Sequence, residues 1–325
     1  MNPAVSVIVP VFNVEKYIGK CARSLFEQTL RDVEYIFVND GTQDGSMEEL
    51  RKVIEAYPLR APAVKIIVKP RNEGLPAARK SGLELAEGEY VAHCDSDDWM
   101  EPNMLERMYL EARAYDADAV VCAWMRDDDP IPTKYVLAGE NCRDFILGDM
   151  VAVGEMASVW RYIVKREVYM KGVEFPVFNQ GEDHALMVQL AYYCDSIYCV
   201  KQPLYHWRTN MASITNAPSS LAVERRFRGA CANARLVEGF LAGKGEEKRL
   251  ASQLTALKLY CMFYLRPLLR KGEGIDKWRK EFPEIRGKVL CNKHIKFAHK
   301  AEYLLVRYCP AAVIKQVYKW RKNSR

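Results

Sequence analysis

Three carboxylates crowd into four residues at Asp95-Ser96-Asp97-Asp98. They follow Glu89-Tyr90-Val91-Ala92-His93-Cys94, whose apolar run predicts a short buried strand. Like charges this close repel one another and resist desolvation, so a chain keeps them most readily where a cation neutralises them. Hard oxygen ligands without a neighbouring Cys/His set favour Mg²⁺ or Mn²⁺ over zinc. The competing reading is a solvated acidic turn capping a helix that starts near Pro102. A calcium loop fails, because counting from Asp95 puts Trp99 and Met100 where an EF-hand needs an oxygen ligand and a glycine.

The elements around this cluster alternate. Ser6–Phe12 reads as a continuous apolar strand ending at Asn13, and helical spacing follows from Val14 to Thr29. Tyr35–Val38 is a second buried strand running into Asn39-Asp40-Gly41-Thr42. Gly41 and Gly45 mark a turn, and Asp44 is placed to cap the helix that continues to about Tyr57. Strand 64–68, helix 76–86 and the strand into the acidic cluster come next, then helix 102–115 and strand 119–124. Five β/α alternations imply a doubly wound, mainly parallel sheet, whose ligands bind at the carboxyl ends of strands. Asn13, Asp40, Asp95 and Asp97 all fall at such ends. Further on, 159–164 is an expected strand, 183–194 a helix, and 197–200 a strand followed by Pro203-Leu204-Tyr205-His206-Trp207-Arg208. From Ser220 the pattern is helical throughout, with helices over 220–242 and 246–271 and a broken basic remainder.

The 325 residues suit about two domains on a prior of roughly 150 residues each. Hydrophobic content of 49% supplies a core of ordinary size. Ten cysteines lie scattered without a C-x-x-C pair, which fits small buried hydrophobes in a reducing compartment and argues against zinc. Pro10 and Asn13 interrupt the first apolar run, so no secretory signal is expected. The net charge of +6 conceals an asymmetry: residues 218–325 hold 25 Lys/Arg against 9 Asp/Glu, residues 1–217 hold 23 against 33. An anionic partner is therefore expected for the end of the chain alone.

Taken together, these stretches resemble family 2 glycosyltransferases of the GT-A fold across about residues 5–215. Ser6 to Asn13 is similar to that family's opening "SVIVPvyN", and Val38 to Ser46 to its "VdDGStDgS". Asn72-Glu73-Gly74 with Ala78-Arg79-Lys80-Ser81-Gly82 resembles "NxGxxxARNxG", and Tyr90 to Asp98 resembles "yvxflDsDD". Gly181-Glu182-Asp183 matches the "gED" element, and Pro203 to Thr215 the late "plYxYRxxxxSiT". Asn39, Thr42, Cys94 and Lys80 depart from the pattern without removing an expected carboxylate.

The resemblance implies a GT-A domain over 1–217 and a helical, basic region over 218–325 for acceptor or membrane association. It implies transfer of a sugar from a nucleotide donor to a hydroxyl, with inversion, and Mn²⁺ or Mg²⁺ bridging the departing diphosphate. Asp97 is then the principal metal ligand, Asp95 serves ribose or metal, and His206 is either a further candidate for the metal shell or a packed strand histidine. Asp98 is assigned to the fold. Asp40 would accept from the N3–H of a uracil, making a UDP-sugar the default donor, or it simply caps a turn. Pro10, Phe12, Asn13, Arg79 and Ser96 line the same nucleotide-sugar site, with Arg208 and Ser213 closing over the diphosphate. Inversion needs a base opposite the leaving group, and Asp183 is the candidate, with Glu182 orienting the acceptor or the loop. Acids at that helix start also suit the macrodipole.

From Cys291 to Arg325 nine Lys/Arg face one acid, interleaved with Phe297, Tyr303, Leu304, Tyr308 and Trp320. This resembles an interfacial segment for an anionic membrane surface, and equally a basic helix packed on its own acidic domain. A glycan or lipid-linked acceptor and a cytoplasmic location, peripheral on the inner face of the membrane, are the matching expectations. No nucleic-acid motif is present. Two rivals remain: a sugar nucleotidyltransferase, which needs a Gly-rich phosphate loop where Pro10-Val11-Phe12-Asn13 stands, and a non-catalytic membrane-associated binding protein.

Overall fold

The computed structural model describes residues 3–127, 129–131, 141–152, 156–209 and 219–323. The chain divides into two compact units. The first comprises Met1–Leu147, Ser158–Val177 and Leu186–Asn210, the second Gly148–Ala157, Phe178–Ala185 and Met211–Arg325. The sequence reading drew one boundary after residue 217. Two earlier stretches instead belong with the helical unit, because side chains there hold their backbone. Asn233 Nδ2 donates to the carbonyls of Phe178 and Gln180, and the His184 ring meets the Met150 carbonyl.

The first unit is built on a sheet that includes β1 (Val5–Val11), β2 (Val33–Asn39), β3 (Val64–Val68), β4 (Tyr90–His93), β5 (Trp99–Met100), β6 (Ala119–Arg126), β7 (Asp129–Ile131), β8 (Tyr162–Lys165) and β9 (Ile197–Trp207). Its order is β3-β2-β1-β4-β8-β6-β9-β5, with β7 on β6. β3, β2, β1 and β4 run parallel, so their carboxyl ends share one edge; β8 then enters antiparallel between β4 and β6. Every residue of β1 is buried, as its unbroken apolar run requires of a central strand covered on both faces. Helices α1 (Glu15–Phe26), α2 (Ser46–Ala56), α3 (Leu75–Glu84) and α4 (Met104–Tyr115) alternate with the strands, and α1 buries Ile18, Cys21, Ala22, Leu25 and Phe26 in the core. The expected strand at 159–164 is a short 3₁₀ turn followed by β8. The expected strand 197–200 continues through Pro203 to Trp207, because the ladder with β6 slips at Cys122/Ala123 and Ala123/Trp124. At such an irregularity a strand can carry a proline. The chain continues through α5 (Arg143–Ala152), α6 (Arg166–Tyr169) and α7 (Glu182–Tyr193).

The second unit is helical: α8 (Ser220–Gly243), α9 (Ala251–Met262), α10 (Arg266–Leu269), α11 (Ile275–Lys280), α12 (Phe297–Tyr308) and α13 (Ala311–Asn323). Ser219 caps α8 by accepting from the Ala222 N–H. The helix expected over 246–271 is broken at Phe263–Leu265, just before Pro267, which lacks the N–H that a continuous helix needs. A buried Lys258 joins Glu238 (2.6 Å) and Glu284 (2.5 Å), so its charge is compensated where burial alone would oppose it. Eight of the ten cysteines are buried, Cys291 is exposed and Cys309 half-buried, and all ten are free thiols.

At the amino end of the parallel strands, buried Glu34 accepts from Ser6 Oγ (2.5 Å) and from the Glu87 and Gly88 N–H groups, and pairs with Lys65 (2.8 Å). Burial pushes its carboxyl up, but hydrogen bonds from Lys65, Ser6 and the Glu87 backbone outweigh this and hold it below 4.5. A carboxyl whose pKa falls on folding stabilises above its unfolded value, and that contribution disappears as pH drops through the folded value. Glu34→Gln should therefore cost about 1.5–3 kcal/mol at neutral pH. In urea denaturation series the gap between variant and wild type should close as the pH falls below 4.5.

Candidate active site

The loops at the carboxyl edge of β1 and β2 are latched together. Asn13 adopts a left-handed backbone (φ 54°), and its Oδ1 accepts from the Gln43 N–H (3.1 Å) and Thr42 Oγ1 (3.2 Å). Thr42 Oγ1 also receives the Asn13 N–H at 2.7 Å. Asp44 accepts from the Glu15 and Ser46 N–H groups, but the N-cap of α2 is Gly45, so Asp44 stands one residue ahead of the capping position expected of it. Asp40 is buried and accepts from the backbone N–H of Glu73 (3.0 Å) and Gly74 (2.9 Å). It thus ties the loop after β3 to the end of β2. Gly41 (φ 73°) lies against Arg71 and Asn72, where a Cβ would stand 2.7 Å from their backbone, so this close approach requires glycine. Pro10 is buried within β1, and Phe12 is half-buried just beyond it.

The acidic turn closes with the Asp98 N–H donating to the Asp95 carbonyl (3.0 Å). Arg79, fully buried on α3, donates to Asp95 Oδ1 at 2.8 Å. Tyr205 on β9 takes the Asp95 N–H (3.1 Å) and gives its own O–H to Asp98 Oδ2 (2.8 Å). The Arg208 N–H donates to Asp98 Oδ1 at 2.7 Å. Asp98 is therefore no cap for α4, whose N-cap is Asn103. Burial, and then the nearby Asp95 and Asp97 carboxylates, push the Asp98 carboxyl well above the usual range. Ser96 is buried, and Asp97 is half-buried between them. Behind the turn, Cys21 and Cys94 stand with sulfurs 3.7 Å apart, and this contact, together with burial, pushes the Cys94 thiol up.

Beside the turn lies an aromatic and cationic ledge. The Arg208 guanidinium sits 4.9 Å from the Trp99 ring centroid and 5.2 Å from that of Tyr17. Lys20 Nζ lies 3.1 Å over Trp99, and His206 stacks on Trp99 at 4.7 Å. These contacts preorganise positive charge close to Asp95–Asp98. His206 has both ring nitrogens occupied, Nε2 by Glu101 Oε1 (2.6 Å) and Nδ1 by the Asp127 carbonyl (3.0 Å). It is a packed strand histidine as it stands, and a metal would have to displace one of those oxygens. Ser213 lies outside the described residues.

In the second unit, Gly181 (φ 77°) turns the chain into the first turn of α7, where Glu182 is buried and Asp183 half-buried. Asn233 on α8 grips the loop before them through the Phe178 (3.0 Å) and Gln180 (2.9 Å) carbonyls, and Gln180 Nε2 reaches Tyr264 Oη (2.9 Å). Burial lowers the pKa of neighbouring His184. Neither Asn233 nor Tyr205 stood out in the sequence as a site residue. Tyr205 lies inside a recognisable motif, but its hydroxyl reaches across 110 positions; Asn233 is one polar residue on a long helix.

Among the described residues no three His, Cys, Asp or Glu side chains converge as a cage for a metal. The oxygen donors of Asp95 and Asp97 nevertheless fit Mg²⁺ or Mn²⁺, which binds through one or two carboxylates and takes its other ligands from water and phosphate.

The family described as Glycosyl transferase family 2 matches residues 6–164. EpsH of Bacillus subtilis (strain 168) is 31% identical over 225 residues, covering 66% of this chain and 63% of its own length. EpsJ of the same organism is 30% identical over 239 residues, covering 70% of this chain and 67% of its own. The chain belongs to glycosyl transferase family 2. It spans about two-thirds of the length of those two relatives. Staphylococcus aureus TarS (residues 1–349), solved with UDP, superposes with a TM-score of 0.66 at 16% identity, covering 99% of this chain and 92% of that one. The fold is accordingly GT-A, with a mixed α/β sheet and carboxyl-terminal helices.

Tyr205→Phe keeps the ring stacked on Trp160 (4.4 Å) but removes the hydroxyl that serves both Asp95 and Asp98. Urea denaturation should show a loss of about 1–3 kcal/mol, the cost of leaving buried polar groups without their partner.

Proposed function

We propose that the chain catalyses inverting transfer of a sugar from a nucleotide donor, a UDP-sugar by default, to a hydroxyl of a glycan or lipid-linked acceptor. The observation that carries this reading is the gathering of Asp40, Asn13 and the Arg79-paired Asp95 on the shared carboxyl edge of β1, β2 and β4. Open α/β sheets place nucleotide ligands at that edge. TarS, which shares the fold, has been solved with UDP.

Asp40 has accepted two backbone N–H groups, yet each carboxylate oxygen keeps a second lone pair for the N3–H of a uracil. Pro10, Phe12 and Asn13 form the adjoining wall. Asp95, with its orientation set by Arg79, would meet the ribose or the cation, and Asp97 would be the principal ligand of that cation, with Ser96 between them. A divalent Mn²⁺ or Mg²⁺ on these oxygens supplies Lewis-acid stabilisation of the leaving diphosphate. Arg208, fixed by Asp98 and the aromatic ledge, adds positive charge for the same phosphates. Asp183 takes the proton from the acceptor hydroxyl, and Glu182 steadies the loop that carries it. A nucleotidyltransferase reading has no support at the end of β1, where Pro10-Val11-Phe12-Asn13 replaces a Gly-rich phosphate loop.

Calorimetry with UDP and with GDP, each with and without Mn²⁺, tests the donor side. Tighter binding of UDP with Mn²⁺ is the expected result, and a preference for GDP would reassign the base. In Asp97→Asn the Mn²⁺ enhancement should vanish; unchanged metal dependence would remove Asp97 from the metal. Asp183→Asn should keep UDP affinity while transfer falls about 10²–10⁴-fold, the usual loss for a general base. UDP release, measured with any acceptor that supports turnover in a screen of glycans and lipid-linked glycans, reads this out. Full activity in that variant would move the base elsewhere.

A further inference from the structure

We infer that helices α12 and α13 form a docking face for an anionic lipid bilayer. The inference rests on these two helices alone and stands whether or not the acidic turn binds a nucleotide. At about 100° per residue, the spacings of seven and eleven put Phe297, Leu304 and Tyr308 on one narrow stripe of α12. The opposite face buries Glu302, Tyr303 and Val306. That inner face is already satisfied. Arg266 forms a two-point pair with Glu302 (2.8 Å each), Tyr318 Oη bonds to the same carboxylate, and Arg279 donates to the carbonyls of Val306 (2.9 Å) and Cys309 (2.6 Å). On α13, Ile314 and Tyr318 are the buried residues.

The tail is therefore a seated element of its own unit, and its exposed side chains are not core residues awaiting a place. Phe297 is 86% exposed, Tyr308 71%, Leu304 39% and, on α13, Trp320 69%. Isolated apolar residues on a surface mean little, but an aromatic stripe rimmed by one sign of charge marks an interaction face. The rim is basic. Lys293, Lys296, Lys315 and Lys319 are exposed, and among the described residues none of them is ion-paired with an acid. Glu302, the one acid in 291–325, is turned inward on Arg266. A second copy of this face would meet it with like charge, so self-association is disfavoured. An acidic headgroup layer matches the lysines, and its acyl boundary accepts the phenyl and phenol rings. No described helix is long and apolar enough to cross a membrane, so the contact is interfacial.

The test is co-sedimentation of the full chain with vesicles of equal phosphatidylglycerol and phosphatidylcholine, and with phosphatidylcholine alone, at 0.1 and 0.5 M salt. Binding should need the anionic lipid and weaken at least tenfold at the higher salt. Replacing Phe297, Leu304 and Tyr308 by Gln should weaken binding to anionic vesicles at least tenfold. Lys296→Glu with Lys319→Glu should do the same, and both variants should keep the wild-type melting curve, because every changed side chain is exposed and lies away from the buried face. Equal sedimentation with both lipids, or of wild type and folded variants, would overturn the inference. So would a dimer in sedimentation velocity that the triple Gln variant abolishes, or tighter binding to an oligonucleotide than to the vesicles.

Discussion

A single buried carboxyl holds the candidate donor site together. Asp98 accepts the Tyr205 O–H on one oxygen and the Arg208 N–H on the other, while Tyr205 also receives the Asp95 N–H. Residues more than a hundred positions apart are thereby fixed within one hydrogen-bonded cluster. Buried polar groups tolerate such a place only when their partners are supplied, and here the late strand β9 supplies them. The direction of Arg208 and its proximity to Trp99 and Tyr17 follow from that contact.

The groups best placed to meet a ligand also hold the fold. Asp40 anchors the Glu73-Gly74 backbone, Asn13 locks the Thr42-Gln43 turn, and Arg79 lies fully buried under Asp95. A site assembled this way has its hydrogen bonds in place before anything binds, which limits the reorganisation required of it. The same economy governs the helical unit. Buried Lys258 is compensated by Glu238 and Glu284 and buried Glu302 by Arg266, and Asn233 secures the loop leading to Glu182-Asp183. Breaking one member of such a pair is costly because the other remains buried and unpaired.

Much of this was legible in the chain itself. Apolar runs marked β1, β2 and β4 and their ends, so Asn13, Asp40 and the acidic turn could be named as edge residues before any coordinate. The helix-cap role offered for the acidic turn was not met, because the Asp98 oxygens go to Tyr205 and Arg208 and α4 has Asn103 at its N-cap. The antiparallel insertion of β8, the slip that lets Pro203 sit within β9, and the transfer of 148–157 and 178–185 to the helical unit were not legible. Each depends on partners far along the chain, and periodicity reports only which face of an element is apolar.

For the carboxyl-terminal segment, composition could say that it was basic and amphipathic but left open which face was turned inward. Tertiary structure decided that by seating Glu302, Tyr303 and Val306 and leaving Phe297 and Tyr308 outside. The same division holds at the acidic turn. By itself the sequence determined that carboxylates would gather at strand ends, because residue type and strand period are local properties. Only the folded chain decided that Asp95 is held by Arg79 and Asp98 by Tyr205 and Arg208, while His206 is engaged by Glu101. Hydrogen-bond partners are chosen in three dimensions, where a side chain meets whatever group burial brings within 3 Å or so, however distant in sequence.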